Sequence, residues 1–510
     1  MARILWADDE IDSLKPHLIF LEQKGHDVYA VNSGNEAVDI FKKEIFDIVF
    51  LDENMPGMNG LTALGEIKSL SSNTPVIMIT KSEEEMIMEE AIGKQISDYL
   101  IKPVNPNQIL MAIKKLLEGK RLVSETNTMS YQQKFREISN ELNQTLDLNE
   151  WKELFKKLAF WEMQLELSDQ NMSEIFNMQK EEANQQFSKF IEKNYLDIIE
   201  EKNNLISNNL LKNELFPKLN DSCYFLIVID NLRYDQWLTI KPHIEELFTI
   251  EKEEIYNSII PTTTQYARNA LFSGLSPLEI KKKFPDKWID EETNEGKNLH
   301  EDFFMKENLK RNFIDCKSSY NKITNLNAGK RLLNQFNNLL QNNLNTIVYN
   351  FVDTLSHART DMEVIKELAE DEAAYRSITL SWFKHSPLYE IIKKISESNC
   401  KVMLTTDHGT IRVKSPTKVI GPRSTNSNMR YKVSKNLSYN KKHVLQANDP
   451  EKLMLPKSHL SSSYIFAKED HFFVYPNNYN HFANLYNDTF QHGGISMEEI
   501  LIPYVFLKPK

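Results

Sequence analysis

Val402–Gly409 reads VMLTTDHG. The stretch opens as a short apolar run of β-forming residues and closes on adjacent Asp407 and His408, then Gly409. In α/β sheets, apolar strands deliver polar residues at their carboxyl ends, where ligand sites form. An Asp and a His side by side at such an end are two metal ligands on rigid support. The tripeptide alone would suit an ordinary loop. It gains force because other apolar runs end the same way: CYFLIVID on Asp230 and NTIVYNFVD on Asp353. SYIFA, HFFVYP and ILIPYVFL add further sheet, with helical stretches between. Residues 218–510 therefore read as one large α/β domain.

More polar groups follow in an order that chemistry can use. A Thr run, Thr262–Thr263–Thr264, comes after Pro261 and before the helical-looking QYARNALFSG. Backbone turning into a helix presents free N–H groups and a favourable dipole to an anion. A hydroxyl there can attack phosphorus if a metal lowers its pKa. Asp353 and His357 are four apart in DTLSH, so a helical turn puts both on one face. His492 sits in QHGG, where glycines allow close backbone approach. Two clusters result: Asp230, Asp407, His408 and a Thr oxygen for one ion, and Asp353, His357 and His492 for another. Mixed carboxylate and imidazole ligation suits Zn²⁺ best, with Mn²⁺ possible. Two such ions typically sit ~3.5–4 Å apart and stabilise both oxygens of an in-line displacement.

This layout resembles the alkaline phosphatase superfamily and, within it, the PglZ-type domains, whose order is Asp, Thr, Asp-x-x-x-His, Asp-His-Gly, His. Counting back from Ser273–Gly274, the resemblance puts Thr264 on the nucleophile position of related phosphodiesterases, with Thr263 as the fallback. It implies a zinc-dependent phosphodiesterase holding two Zn²⁺ ions. From Arg412 through Lys442 the chain has nine Lys or Arg and no Asp or Glu. Read as a solvated loop this run is inert. Read as a basic patch, Arg423, Arg430 and Lys432 steer a polyanionic substrate, and Tyr431 stacks on a base. Arg268, one helical turn after Thr264, is expected to touch the phosphoryl group. Nucleotides or oligonucleotides, linear or cyclic, are the expected substrates.

Residues 1–120 carry a different pattern. ARILWA, DVYAV, DIVFLD, PVIMIT and DYLIKP read as strands, with amphipathic helices between and NQILMAIKKLLEG last. That is a doubly wound parallel sheet of flavodoxin type. Asp8 and Asp9 follow the first strand and Asp52 ends the third. Three converging carboxylates are costly without a cation, and with Mg²⁺ they form an oxygen-ligand site. Thr80 ends the fourth strand and Lys102 follows the fifth, a hydroxyl and an ammonium suited to holding a phosphoryl group on Asp52. The arrangement resembles the receiver domain of bacterial response regulators. The resemblance implies that Asp52 accepts phosphate from a sensor histidine kinase. It also implies that Asp9, Asp52 and the Asn54 carbonyl bind Mg²⁺ with Asp8 assisting. Thr80 and Tyr99 would be the switch pair, and Lys102–Pro103 is expected to be cis.

Between these domains, residues 121–217 show almost no strand signal. Trp151, Leu154, Leu158, Trp161 and Leu165 recur at three- and four-residue steps. About three helices are expected, as an all-helical bundle or connector that relays the receiver's state by pairing two chains. Nothing there resembles a helix-turn-helix with a basic recognition helix. A net charge of −11 also argues against a protein whose task is coating DNA. No apolar run reaches membrane-span length. The acidic N-terminus MARILWADDE is unlike a signal peptide, which implies a cytoplasmic protein. The three cysteines, Cys223, Cys316 and Cys400, fit no metal pattern and no disulfide framework. A receiver, a helical connector and a PglZ-type domain together resemble PorX-type regulators of the type IX secretion system. That resemblance implies control of protein secretion and a homodimer formed on phosphorylation. The rival expectation is an adaptor, with the C-terminal domain docking a sigma factor or a secretion-machinery component.

Overall fold

The computed structural model describes residues 2–71, 74–81, 96–166, 170–219, 223–290, 296–361, 366–367, 369, 371–422, 425–457, 459 and 461–510. The chain divides into two compact units, the first Met1–Tyr131 with Leu167–Asp169 and the second Gln132–Glu166 with Gln170–Lys510.

In the first unit, strands β1 (Arg3–Ala7), β2 (Asp27–Val31), β3 (Ile48–Asp52), β4 (Val76–Thr80) and β5 (Asp98–Ile101) pair in the order β2-β1-β3-β4-β5. All neighbours are parallel, which is the flavodoxin-type order. Strands buried on both faces must be apolar throughout. Accordingly Leu5, Val49 and Leu51 pack with Ala63, Leu64 and Ile67 on one face. Ile4, Trp6 and Phe50 pack with Ile109 and Ile113 on the other. The Lys102–Pro103 bond is cis, as expected.

The second unit is built on a six-stranded sheet. Its strands are β6 (Tyr224–Ile229), β7 (Phe248–Asn257), β8 (Ser318–Ile323), β9 (Leu344–Tyr349), β10 (Lys401–Thr405) and a C-terminal strand, Leu501–Pro509. The C-terminal strand lies antiparallel between β7 and β10, and the order continues to β6, β9 and β8, all parallel. The runs leading to Asp230, Asp353 and Asp407 are therefore adjacent strands with their carboxyl ends on one sheet edge, except that β9 stops at Tyr349 and Asp353 lies not at the strand end but in the helix Phe351–Asp361 that follows, one turn before His357. The strand β7 has no apolar run to announce it. Its centre is EKEE, and edge strands carry such charges because their outer side faces water.

The register overturns one expectation. Cys223 and Cys400 form a disulfide with a Cα–Cα distance of 4.7 Å. Each cysteine immediately precedes a strand, and Lys401 pairs with Tyr224, so the parallel register sets the two thiols side by side. Their separation of 177 residues gives no local sign of this.

Helices Gly119–Leu142, Leu148–Gln164 and Gln170–Glu200 fill the middle region. The second starts at Asp147, whose carboxylate accepts from the Asn149 and Glu150 amides while Glu150 bonds back. Its Trp151, Leu154, Phe155 and Leu158 are buried, as the periodicity predicted. Trp151 meets Phe187 edge-on at 5.3 Å. From Gln132 onward these helices belong to the same unit as the large sheet. Asn184 exchanges hydrogen bonds with the Glu498 side chain (2.9 Å) and the Met497 amide (2.8 Å). The Tyr195 hydroxyl accepts from the Ile260 amide at 3.0 Å. No helix among the described residues is long and apolar enough to cross a membrane.

Candidate functional site

At the carboxyl edge of the large sheet the chain turns sharply after β6. Asn231 adopts φ 65°, and its amide lies 3.4 Å from Asp407 Oδ1. The Thr264–Arg268 turn starts a helix at the same edge, after a cis Ile260–Pro261 bond. Thr264 Oγ1 lies 3.4 Å from Asp230 Oδ1 and 3.3 Å from His408 Nε2. His408 Nε2 is 3.7 Å from both Asp230 Oδ1 and Asp407 Oδ2. Beside this group, Asp353 Oδ1 is 3.5 Å from His492 Nε2 and 3.6 Å from His357 Nε2. The rings of His408 and His492 stack at 4.3 Å and join the two groups. The structure thus brings together all seven side chains, in the two sets that the sequence suggested. Asp230, Asp407, His408 and His492 are buried, while His357 is exposed and opens the edge to solvent.

The donor set fits divalent cations. His408 Nδ1 lies 3.1 Å from the Gly409 carbonyl and His492 Nδ1 3.1 Å from the Thr262 carbonyl. Those contacts suit a proton on Nδ1 in each ring and point Nε2 into the cluster, where His408 Nε2 offers a lone pair and His492 Nε2 bonds to Asp353. Asp407 Oδ2 is buried with no hydrogen-bond partner among the described residues. Donor atoms on one tetrahedral ion with ~2.0–2.1 Å bonds stand about 3.3 Å apart. Burial pushes the His408 imidazole down to about 4, which keeps it neutral. Burial would raise the Asp353 carboxyl, but the hydrogen bond and charge of His492, with His357 and His408, hold it below the ordinary range. Burial raises Asp230 well above the ordinary range, against the pull of Arg268.

Three sequence expectations are corrected here. Arg268 does not face a phosphoryl group. It is fully buried, with NH1 2.7 Å from Asp230 Oδ2 and Nε 2.7 Å from Glu301 Oε1. It therefore ties up one Asp230 oxygen and leaves Oδ1 facing Thr264. Arg430 and Lys432 are not a steering patch. Arg430 is buried on Glu499 at 2.6 Å, and Lys432 is buried with Nζ on the Asn426 carbonyl at 2.8 Å. Tyr431 is no stacking platform, since it is buried edge-on to Tyr266 at 5.9 Å. The run lacks acids of its own, but folding brings Glu499 to it from a distant segment. Arg423 lies outside the described residues. Of the three threonines, Thr262 is occupied structurally: its hydroxyl accepts from the Gly493 amide at 2.9 Å and lies 3.2 Å from the Gly494 carbonyl. Thr263 is the residue before the turn, and its buried hydroxyl has no hydrogen-bond partner among the described residues.

Sequence reasoning missed Glu301 and Glu499. Glu301 anchors Arg268 and also takes the Tyr320 hydroxyl and Lys322 Nζ (3.2 Å). Nothing in the local pattern of either residue announces a partner so far along the chain.

In the first unit, Asp8, Asp9 and Asp52 present carboxylate oxygens within 4.8 Å of one another. Lys102 Nζ lies 2.9 Å from both Asp8 and Asp52. Burial pushes the Asp52 carboxyl up to about 6, partly opposed by Lys102. The all-oxygen set fits Mg²⁺. The Thr80 hydroxyl donates to Glu53, Tyr99 is 42% exposed on the outer strand, and Asn54 is exposed in the loop after β3.

Comparison with known proteins finds three family matches along the chain. Residues 4–114 match the response regulator receiver domain, residues 121–199 the PorX response regulator linker domain, and residues 210–507 the BREX system PglZ alkaline phosphatase-like domain. PilH of Pseudomonas aeruginosa is 34% identical over 123 residues, covering 23% of this chain and 100% of PilH. The alginate biosynthesis regulator AlgB of Pseudomonas syringae is 32% identical over 120 residues, 24% of this chain and 27% of AlgB. The match thus spans about a quarter of AlgB's length. The structure of the Vibrio cholerae chemotaxis protein CheY4 is 28% identical, covering 23% of this chain and 99% of that one, with a TM-score of 0.22. Since the PglZ match takes in more than half of the 510 residues, the chain belongs to the PglZ alkaline phosphatase-like family, joined to a receiver and linker in the PorX-type architecture.

Proposed function

We propose that the C-terminal domain is a zinc-dependent phosphodiesterase that uses Thr264 as nucleophile and is governed by phosphorylation of Asp52. The carrying observation is that Thr264 Oγ1 sits 3.3–3.4 Å from Asp230 and His408, at the mouth of two adjoining carboxylate–imidazole sets. Asp230, Asp407 and His408 would hold one ion, and Asp353, His357 and His492 the other. Bound there, the ions supply Lewis acidity, lowering hydroxyl and water pKa values and neutralising charge that builds on phosphorus oxygens. Thr264 gives its proton to solvent as Oγ1 forms the new P–O bond, and the leaving alkoxide departs on the opposite side with its electron pair and takes a proton from solvent. Water then attacks the same phosphorus and loses a proton, while Thr264 Oγ1 leaves with the P–O electron pair and is reprotonated, which releases the monoester.

Arg268 supports a diester over a monoester. A monoester carries an extra negative charge, and the guanidinium nearest the nucleophile is already held by Asp230 and Glu301. The nucleotide class is an expectation from the basic run, and Arg430 and Lys432 do not support it, because both are buried on other partners. In the receiver, Asp52 accepts phosphate from a sensor histidine kinase with Mg²⁺ on Asp8, Asp9, Asp52 and the Asn54 carbonyl. Pairing of two chains and control of protein secretion follow from the PorX-type resemblance. Tyr195 gives the linker a direct hold on the backbone two residues before Thr262.

The test uses zinc-loaded full-length protein with bis-p-nitrophenyl phosphate and with p-nitrophenyl phosphate, with and without chelator. Diester hydrolysis that chelation abolishes and zinc restores is expected. Silence on both esters in zinc-replete protein would overturn the enzymatic reading and leave a docking domain.

A further inference from the structure

We propose that a cavity behind the wall of the metal-ligand site binds a small aromatic carboxylate. The cavity holds about 530 Å³, lined in part by Met429, Lys432, Phe473, Tyr475, Phe482 and Tyr486. It is bounded by the strands Tyr431–Ser434 and His471–Val474 and the helix Tyr479–Tyr486. Successive residues of a strand point to opposite faces. Tyr431 packs towards Tyr266 and Gly493, while Lys432 turns into the cavity.

Lys432 is the anomaly. It is 1% exposed, and its Nζ has one carbonyl partner, Asn426, and the Tyr475 ring at 4.6 Å. It has no carboxylate partner among the described residues. Arg268, Arg376 and Arg430 are equally buried, and each lies on at least one carboxylate. A buried ammonium without a counter-charge is costly, and burial accordingly pushes this amine down to about 7. Beside it, the buried Tyr475 hydroxyl interacts with Thr425 and has no hydrogen bond of good geometry among the described residues. Its neighbour Thr425 spends its own proton on the Pro422 carbonyl at 2.7 Å.

The cavity thus offers an ammonium with no counter-charge among the described residues, beside a phenol hydroxyl and between aromatic and thioether walls. The complement is a flat apolar ring carrying an anion. One ammonium and one hydroxyl match a carboxylate monoanion better than a dianionic phosphate. The volume falls in the range that suits a one- or two-ring molecule. Thr425, Ser427 and Met429 line the cavity, while Asn428 and Tyr431 in the same segment lie against Gly493 beside His492. An occupant would brace the rim of the nucleophile site from behind.

The probe is indole-3-carboxylate, titrated calorimetrically into the full-length protein, with indole as the ring lacking the anion. Saturable one-to-one binding is expected, at least tenfold tighter than indole. It should take up protons near pH 7.5 and weaken as pH rises from 7 to 9, because the anion favours the charged amine. Lys432→Met should weaken it at least tenfold and Tyr475→Phe several-fold. Zinc removal should leave it unchanged. Absence of saturable binding to folded wild-type protein, equal affinity for indole, or undiminished affinity in a folded Lys432→Met variant would each overturn the proposal. The indole and pH comparisons need no variant to fold.

Discussion

The receiver and the PglZ domain each gather three aspartates beyond the carboxyl ends of neighbouring parallel strands, yet they neutralise them differently. Around Asp52 the counter-charge is Lys102, a single flexible amine that is 13% exposed and 2.9 Å from two carboxylates. Around Asp230 it is Arg268, wholly buried and clamped from behind by Glu301. The first set has only oxygen donors, which suits a hard, exchangeable Mg²⁺. The second adds three imidazoles and a hydroxyl, which suits resident Zn²⁺ and a covalent intermediate. On the proposed reading, the first site holds a phosphoryl group and lets it go, and the second breaks a bond repeatedly.

The sharpest way to break this contrast is to swap the metals. With Mg²⁺ alone, acetyl phosphate should label Asp52 while diester hydrolysis stays absent; zinc should restore hydrolysis by about a thousandfold or more. Hydrolysis of equal rate in zinc-free Mg²⁺ buffer would erase the distinction. Next in size is stability. Arg268→Met leaves Asp230 buried without its guanidinium and Glu301 with only Lys322 for counter-charge, and should cost about 3–5 kcal/mol in apo protein. Lys102→Met, beside a more open cluster, should cost less than half of that and be compensated by Mg²⁺. Thermal melts with and without Mg²⁺ would show whether the two cations differ as described.

A smaller effect concerns pH. Burial raises Asp52 to about 6, above the ordinary 3.8, so the folded receiver prefers the protonated carboxyl. Stability from this group is full below the ordinary value and is lost as pH rises through about 6. In Mg²⁺-free buffer the receiver transition should therefore rise on acidification from pH 7 to 5, by on the order of 1–2 kcal/mol after solvent screening. Asp52→Asn should abolish that slope, and Mg²⁺ should flatten it. A slope of the opposite sign would show that Lys102 dominates the cluster.

Strand ends were legible in the sequence because strands buried on both faces must be apolar, so a terminal Asp or His stands out against them. Asp230, Asp353 and Asp407 could be paired with His408, His357 and His492 on that basis, and five receiver strands likewise. What sequence could not show was how charges meet through space. Arg430 looked free because its partner Glu499 lies far along the chain. Arg268 was correctly placed near Thr264 but aimed wrongly, since Glu301 pulls it inward. The Cys223–Cys400 bond depends on strand register, which no local pattern encodes. The edge strand β7 was hidden by its own solvent-facing glutamates.

The central claim is that Thr264 is the atom that attacks phosphorus. Zinc-loaded protein would be mixed with bis-p-nitrophenyl phosphate and quenched in acid during turnover, and its peptides weighed by mass spectrometry. The account predicts a p-nitrophenyl phosphoryl adduct on Thr264, absent from a zinc-replete Thr264→Val variant that no longer turns over. An adduct on Thr262 or Thr263, or undiminished hydrolysis by Thr264→Val, would contradict it.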